Sequence, residues 1–133
     1  MVTAIDHVGV IVQSIDRALP YYLDQLGLSV ADREELPEAG VRIAFLAVGS
    51  TRLQLVEPTA PGPLQDHLDV AGEGLHHVCF AVDDIDQALS HLAAGEAVRV
   101  VRGGGGRRAC FLPARPGGLR IELTEIVPAQ TIG

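Results

Sequence analysis

The chain has 133 residues, 47% of them apolar, which suits one folded domain and excludes a disordered chain. Its net charge of −7 argues against nucleic acid as the main partner. No apolar run approaches the roughly 20 residues that a membrane-spanning helix needs, so no membrane partner is expected.

The chain opens without a basic stretch followed by an apolar one, so no export leader is expected. Residues 8–12 form the first β-branched strand. Ser14 then suits a helix N-cap. Behind it Ile15, Ala18, Leu19, Tyr22 and Leu26 recur at helical spacing, and Gly27 stops the helix. Pro20 lies inside and should kink it. Strands are expected at residues 29–34, 41–48 and 51–57, the last two joined at Gly49-Ser50. The stretch 58–74 is rich in proline and glycine, with one helical patch near residues 64–70.

The pattern then begins again. The thirteen residues from His7 to Leu19 match those from His77 to Leu89 at a constant offset of 70, with seven identities. A second strand at residues 78–82 leads to Asp83 or Asp84 as N-cap. The next helix carries Ile85, Ala88, Leu89 and Leu92, with Gly95 as its stop. Strands follow at residues 97–102, 108–112 and 119–124. Each half is therefore βαβββ. The expected organisation is one α+β domain: module one at about 1–58, a linker at about 59–74 and module two at about 75–128. Neither half is long enough to bury its sheet alone, so the two should curve around a shared cleft.

Alternation along the strands places His7, Gly9 and Ile11 on one face and Val8, Val10 and Val12 on the other. The valine face should pack under the helix, leaving His7, and by the repeat His77, toward the cleft. The last strands also repeat: residues 53–57 match 121–125 at offset 68, which makes Gln54 equivalent to Glu122. Polar side chains inside apolar strands need partners. Two histidines, an amide and a carboxylate in repeat-related positions suit a mixed N/O site for one divalent ion. With four protein ligands, coordination positions stay open for substrate. His76 aligns with Asp6 and faces the other way, as a structural residue or one that supports a metal ligand from outside the coordination sphere. Cys79 and Cys110 sit in apolar segments without metal-like spacing and are expected to be buried free thiols, as in a reducing cytoplasm. Six of the ten arginines fall in the last 35 positions, a basic patch suited to an anionic small ligand.

With these residues the chain resembles the vicinal-oxygen-chelate (glyoxalase/bleomycin resistance/dioxygenase) superfamily over nearly its whole length, and within it the methylmalonyl-CoA epimerases. The likeness lies in Asp6-His7-Val8-Gly9-Val10, Pro37-Glu38-Ala39-Gly40-Val41, Leu53-Gln54-Leu55-Val56-Glu57-Pro58, Gly118-Leu119-Arg120-Ile121-Glu122-Leu123 and, most specific, Gly72-Glu73-Gly74-Leu75-His76-His77.

The resemblance implies a glyoxalase-like fold and a divalent cofactor (Co, Mn, Zn, Ni or Fe) on His7, Gln54, His77 and Glu122. It also implies an acyl-CoA substrate, a homodimer, and proton removal and return between a thioester and a carboxylate. Glu122 would be one base, and Arg108 would meet the substrate's carboxylate or phosphate. Two features depart from the pattern. Some family members carry a second catalytic glutamate three residues after the glycine of Pro-Glu-x-Gly-Val, where this chain has Ile43; the second base is unassigned, with Glu38 a nearby candidate. Phe111-Leu112-Pro113-Ala114 also lacks the histidine often found before the last strand. Three alternatives stay open: a glyoxalase-type lyase or isomerase, an iron dioxygenase in which Gln54 is not a ligand, and a metal-free protein that binds a small molecule.

Overall fold

The computed structural model describes residues 1–92 and 98–127. Among these residues eight strands and three α-helices run in the order β1 (Val2–Ile11), α1 (Ile15–Pro20), β2 (Ser29–Leu36), β3 (Val41–Val48), β4 (Thr51–Pro58), α2 (Pro63–Ala71), β5 (Gly74–Val82), α3 (Ile85–His91), β6 (Val101–Arg102), β7 (Arg108–Phe111) and β8 (Ile121–Glu125). The chain divides into two compact units, one of His7–His76 and the other of Met1–Asp6 with His77–Gly133. The α+β arrangement of two βαβββ modules read from the repeat is present.

In the unit His7–His76 the strand order is β2-β3-β4-β1. The strand β1 runs parallel to β4, with Gly9 opposite Gln54, while β2, β3 and β4 are antiparallel to one another. Side-chain alternation splits the core in two. Val12, Ala44, Leu46 and Leu55 pack against Ile15 and Leu19 of α1, with Val10 beside them. Val41, Ile43, Phe45 and Val56 form the other cluster, against Leu36 and against Leu64 of α2. The valine face of β1 is thus the helix side, as alternation required, and His7 stands on the opposite face.

The second unit repeats this plan with the order β5-β8-β7-β6, β5 running parallel to β8 and Cys79 opposite Glu122. Its core holds Val82, Ile85, Ala88, Cys110 and Leu123, with Phe80 and Leu89 packed on it. Among the described residues the strand expected at 97–102 pairs only at Val101–Arg102. Val98 and Val100 still reach the core without regular pairing. Gly95, Ala97 and the expected boundary at residue 128 lie outside the described residues.

The helix starts follow from local chemistry. Ser14 accepts a hydrogen bond from the Arg17 amide at 3.2 Å, and Asp84 accepts one from the Gln87 amide at 3.0 Å. Of the two aspartates offered by the sequence, Asp84 is the cap. Ser14→Ala and Asp84→Ala should each cost about 1 kcal/mol, read from urea unfolding midpoints at unchanged slope. Pro20 ends α1, and the chain continues as one π turn, Tyr21–Gln25, closed by the Leu26 amide on the Tyr21 carbonyl at 3.2 Å. Proline has no N–H and crowds the carbonyl four residues back, so the following turn widens instead of breaking. Gly27, at φ 72°, then turns the chain out of the helix.

Candidate functional site

Each unit builds the same small frame. In the unit His7–His76, Gln54 sits on β4 between Gly9 of β1 and Phe45 of β3. His7, two residues before Gly9, meets the Phe45 ring edge-on, with centroids 5.5 Å apart. The Arg52 guanidinium lies 4.0 Å over the same ring. His7 and Gln54 are buried, at 5% and 7% exposure. The Gln54 Oε1 atom has no hydrogen-bond partner among the described residues.

In the second unit Glu122 sits on β8 between Cys79 of β5 and Phe111 of β7. His77, two residues before Cys79, meets Phe111 edge-on at 5.3 Å. Its Nε2 lies 3.3 Å from Glu122 Oε1, inside the spacing of donors around one cation. His77 is buried and Glu122 nearly so. The two phenylalanines were not anticipated. Their signal was in the sequence: Phe45-Leu46 and Phe111-Leu112 are related by a constant offset of 66 in the penultimate strands.

The donor types fit a divalent ion. Imidazole, amide oxygen and carboxylate together suit a first-row metal. A buried amide oxygen with no partner costs about 1–3 kcal/mol, and a cation would satisfy it.

The frames are braced alike. Glu57, three residues after Gln54, accepts a hydrogen bond from the Ile15 amide at 2.7 Å and pairs with Arg42 of β3 at 2.8 Å. Glu125, three residues after Glu122, accepts one from the Ile85 amide at 3.0 Å and pairs with Arg108 of β7 at 3.2 Å. Arg108 also forms two hydrogen bonds to Asp86, at 2.9 and 3.2 Å. Its guanidinium is thus engaged by two carboxylates of its own unit, and a substrate anion there would compete with both.

The hydrogen bond from Arg108, then its charge, holds the Asp86 carboxyl below the ordinary aspartate value. A lowered pKa contributes stability above the unfolded-state value of about 3.9, and this is lost as pH falls through the folded value. Asp86→Asn should therefore be less stable than the parent at neutral pH. The gap should close in acid, which denaturant midpoints measured across pH would reveal.

Other sequence expectations find plain positions. His76 packs edge-on against His67 at 5.1 Å. Arg107 pairs with Asp6 at 3.4 Å. Glu38 is exposed in the turn Pro37–Ala39, and Ile43 is buried in the apolar cluster around Phe45. Cys79 and Cys110 are buried free thiols. Burial, then the charge of Glu122, pushes the Cys110 thiol up, away from thiolate reactivity.

Residues 6–111 match the Glyoxalase/Bleomycin resistance protein/Dioxygenase superfamily, and the chain belongs to it. Among its relatives, the mitochondrial methylmalonyl-CoA epimerase of Bos taurus is 33% identical, over 91% of this chain and 73% of that protein. The uncharacterized protein YqjC of Bacillus subtilis is 34% identical over 91% of both chains. A solved structure of a variant Streptomyces coelicolor methylmalonyl-CoA epimerase in complex with 2-nitronate-propionyl-CoA matches with a TM-score of 0.85. It is 32% identical, and the match covers 97% of this chain and 100% of that one.

Proposed function

We propose that the chain is a methylmalonyl-CoA epimerase whose divalent metal is held by His7, Gln54, His77 and Glu122. The observation that carries this reading is the repeated frame. Each module offers a buried histidine nitrogen and, on the last strand, an oxygen donor; one of these, the Gln54 oxygen, is buried without a hydrogen-bond partner among the described residues. Relatives with this activity align over nine tenths of the chain, which supports the choice of substrate.

Bound there, a divalent cation would act as a Lewis acid toward the thioester and carboxylate oxygens and lower the cost of carbanion character at the carbon between them. The protein does the rest. T-shaped packing against Phe45 and Phe111 keeps the two histidine rings oriented. The neutral Gln54 supplies an oxygen but no base. On one face of the α-carbon the Glu122 carboxylate takes the proton in one direction of the reaction and delivers it in the other. Inversion requires a second proton donor on the opposite face, and Ile43 offers neither acid nor base. A homodimer in the cytoplasm belongs to the same reading.

The test incubates the purified protein with methylmalonyl-CoA in deuterated water, with and without cobalt, and follows the α-proton resonance. Cobalt-dependent loss of that signal is the expected result. No exchange by protein carrying stoichiometric cobalt would sink the substrate assignment. Cobalt-independent exchange would sink the metal.

A further inference from the structure

Glu57 and Glu125 have no part in the chemistry above, yet they occur in the same place in both modules. Each lies on the last strand of its module, three residues beyond Gln54 or Glu122, and is largely buried, with side-chain exposures of 14% and 16%. Each carboxylate makes two connections. One oxygen of Glu57 accepts from the Ile15 amide, the first peptide of α1, and the other pairs with Arg42. Glu125 Oε2 makes both of the corresponding contacts, to the Ile85 amide and to Arg108.

The consequence is mechanical. The strand with the candidate histidine runs into the helix whose first amide is bound. The strand with the second candidate donor carries the glutamate. The arginine comes from the strand with the phenylalanine that touches the histidine. One carboxylate therefore joins the three strands that position one histidine and one oxygen donor. Ordinary sheet hydrogen bonds fix their register, but a hydrogen bond at the strand end, shared with a charged partner, also fixes how far the strands splay. A generic surface ion pair would not occur twice with the same helix peptide and the same strand.

We propose that Glu57 and Glu125 are positioning residues for the metal donors, each locking the histidine-bearing strand of its module to the strand that carries Gln54 or Glu122. The proposal rests on the metal reading above. Partners that orient ligands from outside the coordination shell are typically worth about 10–100-fold in metal affinity.

The test is a cobalt titration of the full chain, read by the visible absorption of bound cobalt for geometry and by dissociation constant, with a thermal melt of each variant. Glu57→Ala and Glu125→Ala should each weaken cobalt binding by about 10–100-fold and alter the spectrum. Glu57→Gln and Glu125→Gln keep an acceptor for the helix amide and should recover most of the affinity. If an alanine variant does not fold, Arg42→Gln and Arg108→Gln carry the test, because they leave the helix bond intact; several-fold weaker binding is expected.

Glu122→Ala is the control. Clamp variants with parental affinity and spectrum, beside a Glu122→Ala that has lost cobalt, would overturn the positioning role and leave the metal site standing. This holds even if the clamp variants melt lower. If the parent itself takes up no cobalt, or Glu122→Ala binds as well as the parent, the metal reading falls and the proposal falls with it.

Discussion

Glu122→Gln is expected to slow cobalt-dependent α-proton exchange by roughly 10²–10⁴-fold, the range for losing a positioned base, while the protein still folds and still binds cobalt. The first module supplies the argument. Gln54 occupies the corresponding place on β4, opposite Phe45 as Glu122 is opposite Phe111. A glutamine therefore fits this frame, and the substitution makes the second frame resemble the first. It keeps the side-chain length and an oxygen donor and removes only the basicity. The loss should appear in the exchange rate under saturating substrate, with a much smaller change in the substrate concentration needed for half-saturation. Exchange that survives at the parental rate would remove Glu122 from the chemistry, and cobalt lost along with exchange would make it a ligand alone.

The second prediction sets stability against binding at Gln54. Its Oε1 atom is buried without a partner among the described residues, a condition that costs the metal-free fold about 1–3 kcal/mol. Gln54→Leu removes that oxygen and keeps much of the volume. The metal-free variant should therefore be at least as stable as the parent in urea. Cobalt affinity should fall about 10–100-fold, the worth of one polar bond to a charged partner. The opposite signs make the test sharp. A variant that is destabilised without metal, with unchanged cobalt affinity, would mean that the glutamine is a structural residue.

The sequence carried most of this because duplication writes each feature twice. The repeat at offset 70 relates both histidines and both helices, and the offset of 68 pairs Gln54 with Glu122 in the sequence itself. Helix starts were legible because capping is local: Ser14 and an aspartate sit three residues before the amides they bind. What stayed hidden depends on distant partners. Nothing near Arg108 in the sequence announces its partners Asp86, 22 residues away, and Glu125, 17 residues away. The brace on Ile15 by Glu57 joins residues 42 apart. Among the described residues strand β6 pairs only at Val101–Arg102, while the partly buried Val98 and Val100 pack against the core outside the ladder. At Pro20 the chain forms a wider turn instead of a kink, a difference that sequence spacing does not reveal.

The first strand has a consequence for the order of folding. Residues 1–6 belong to the unit that otherwise starts at His77, while residues 7–11 pair with β4 in the other unit. The hydroxyl of Thr3 donates to the carbonyl of Ala81, 78 positions further along. A ribosome releases residues 1–6 well before the chain they bind exists. At about 5–20 residues per second they must wait several seconds as a loose extension while His7–His76 has its own strands and helices in hand. The last step of assembly should then be the docking of residues 1–6 onto the strands that follow His77. Such long-range closure is slow for its size, and a purified His7–His76 fragment should gain structure that a fragment starting at His77 cannot complete without residues 1–6.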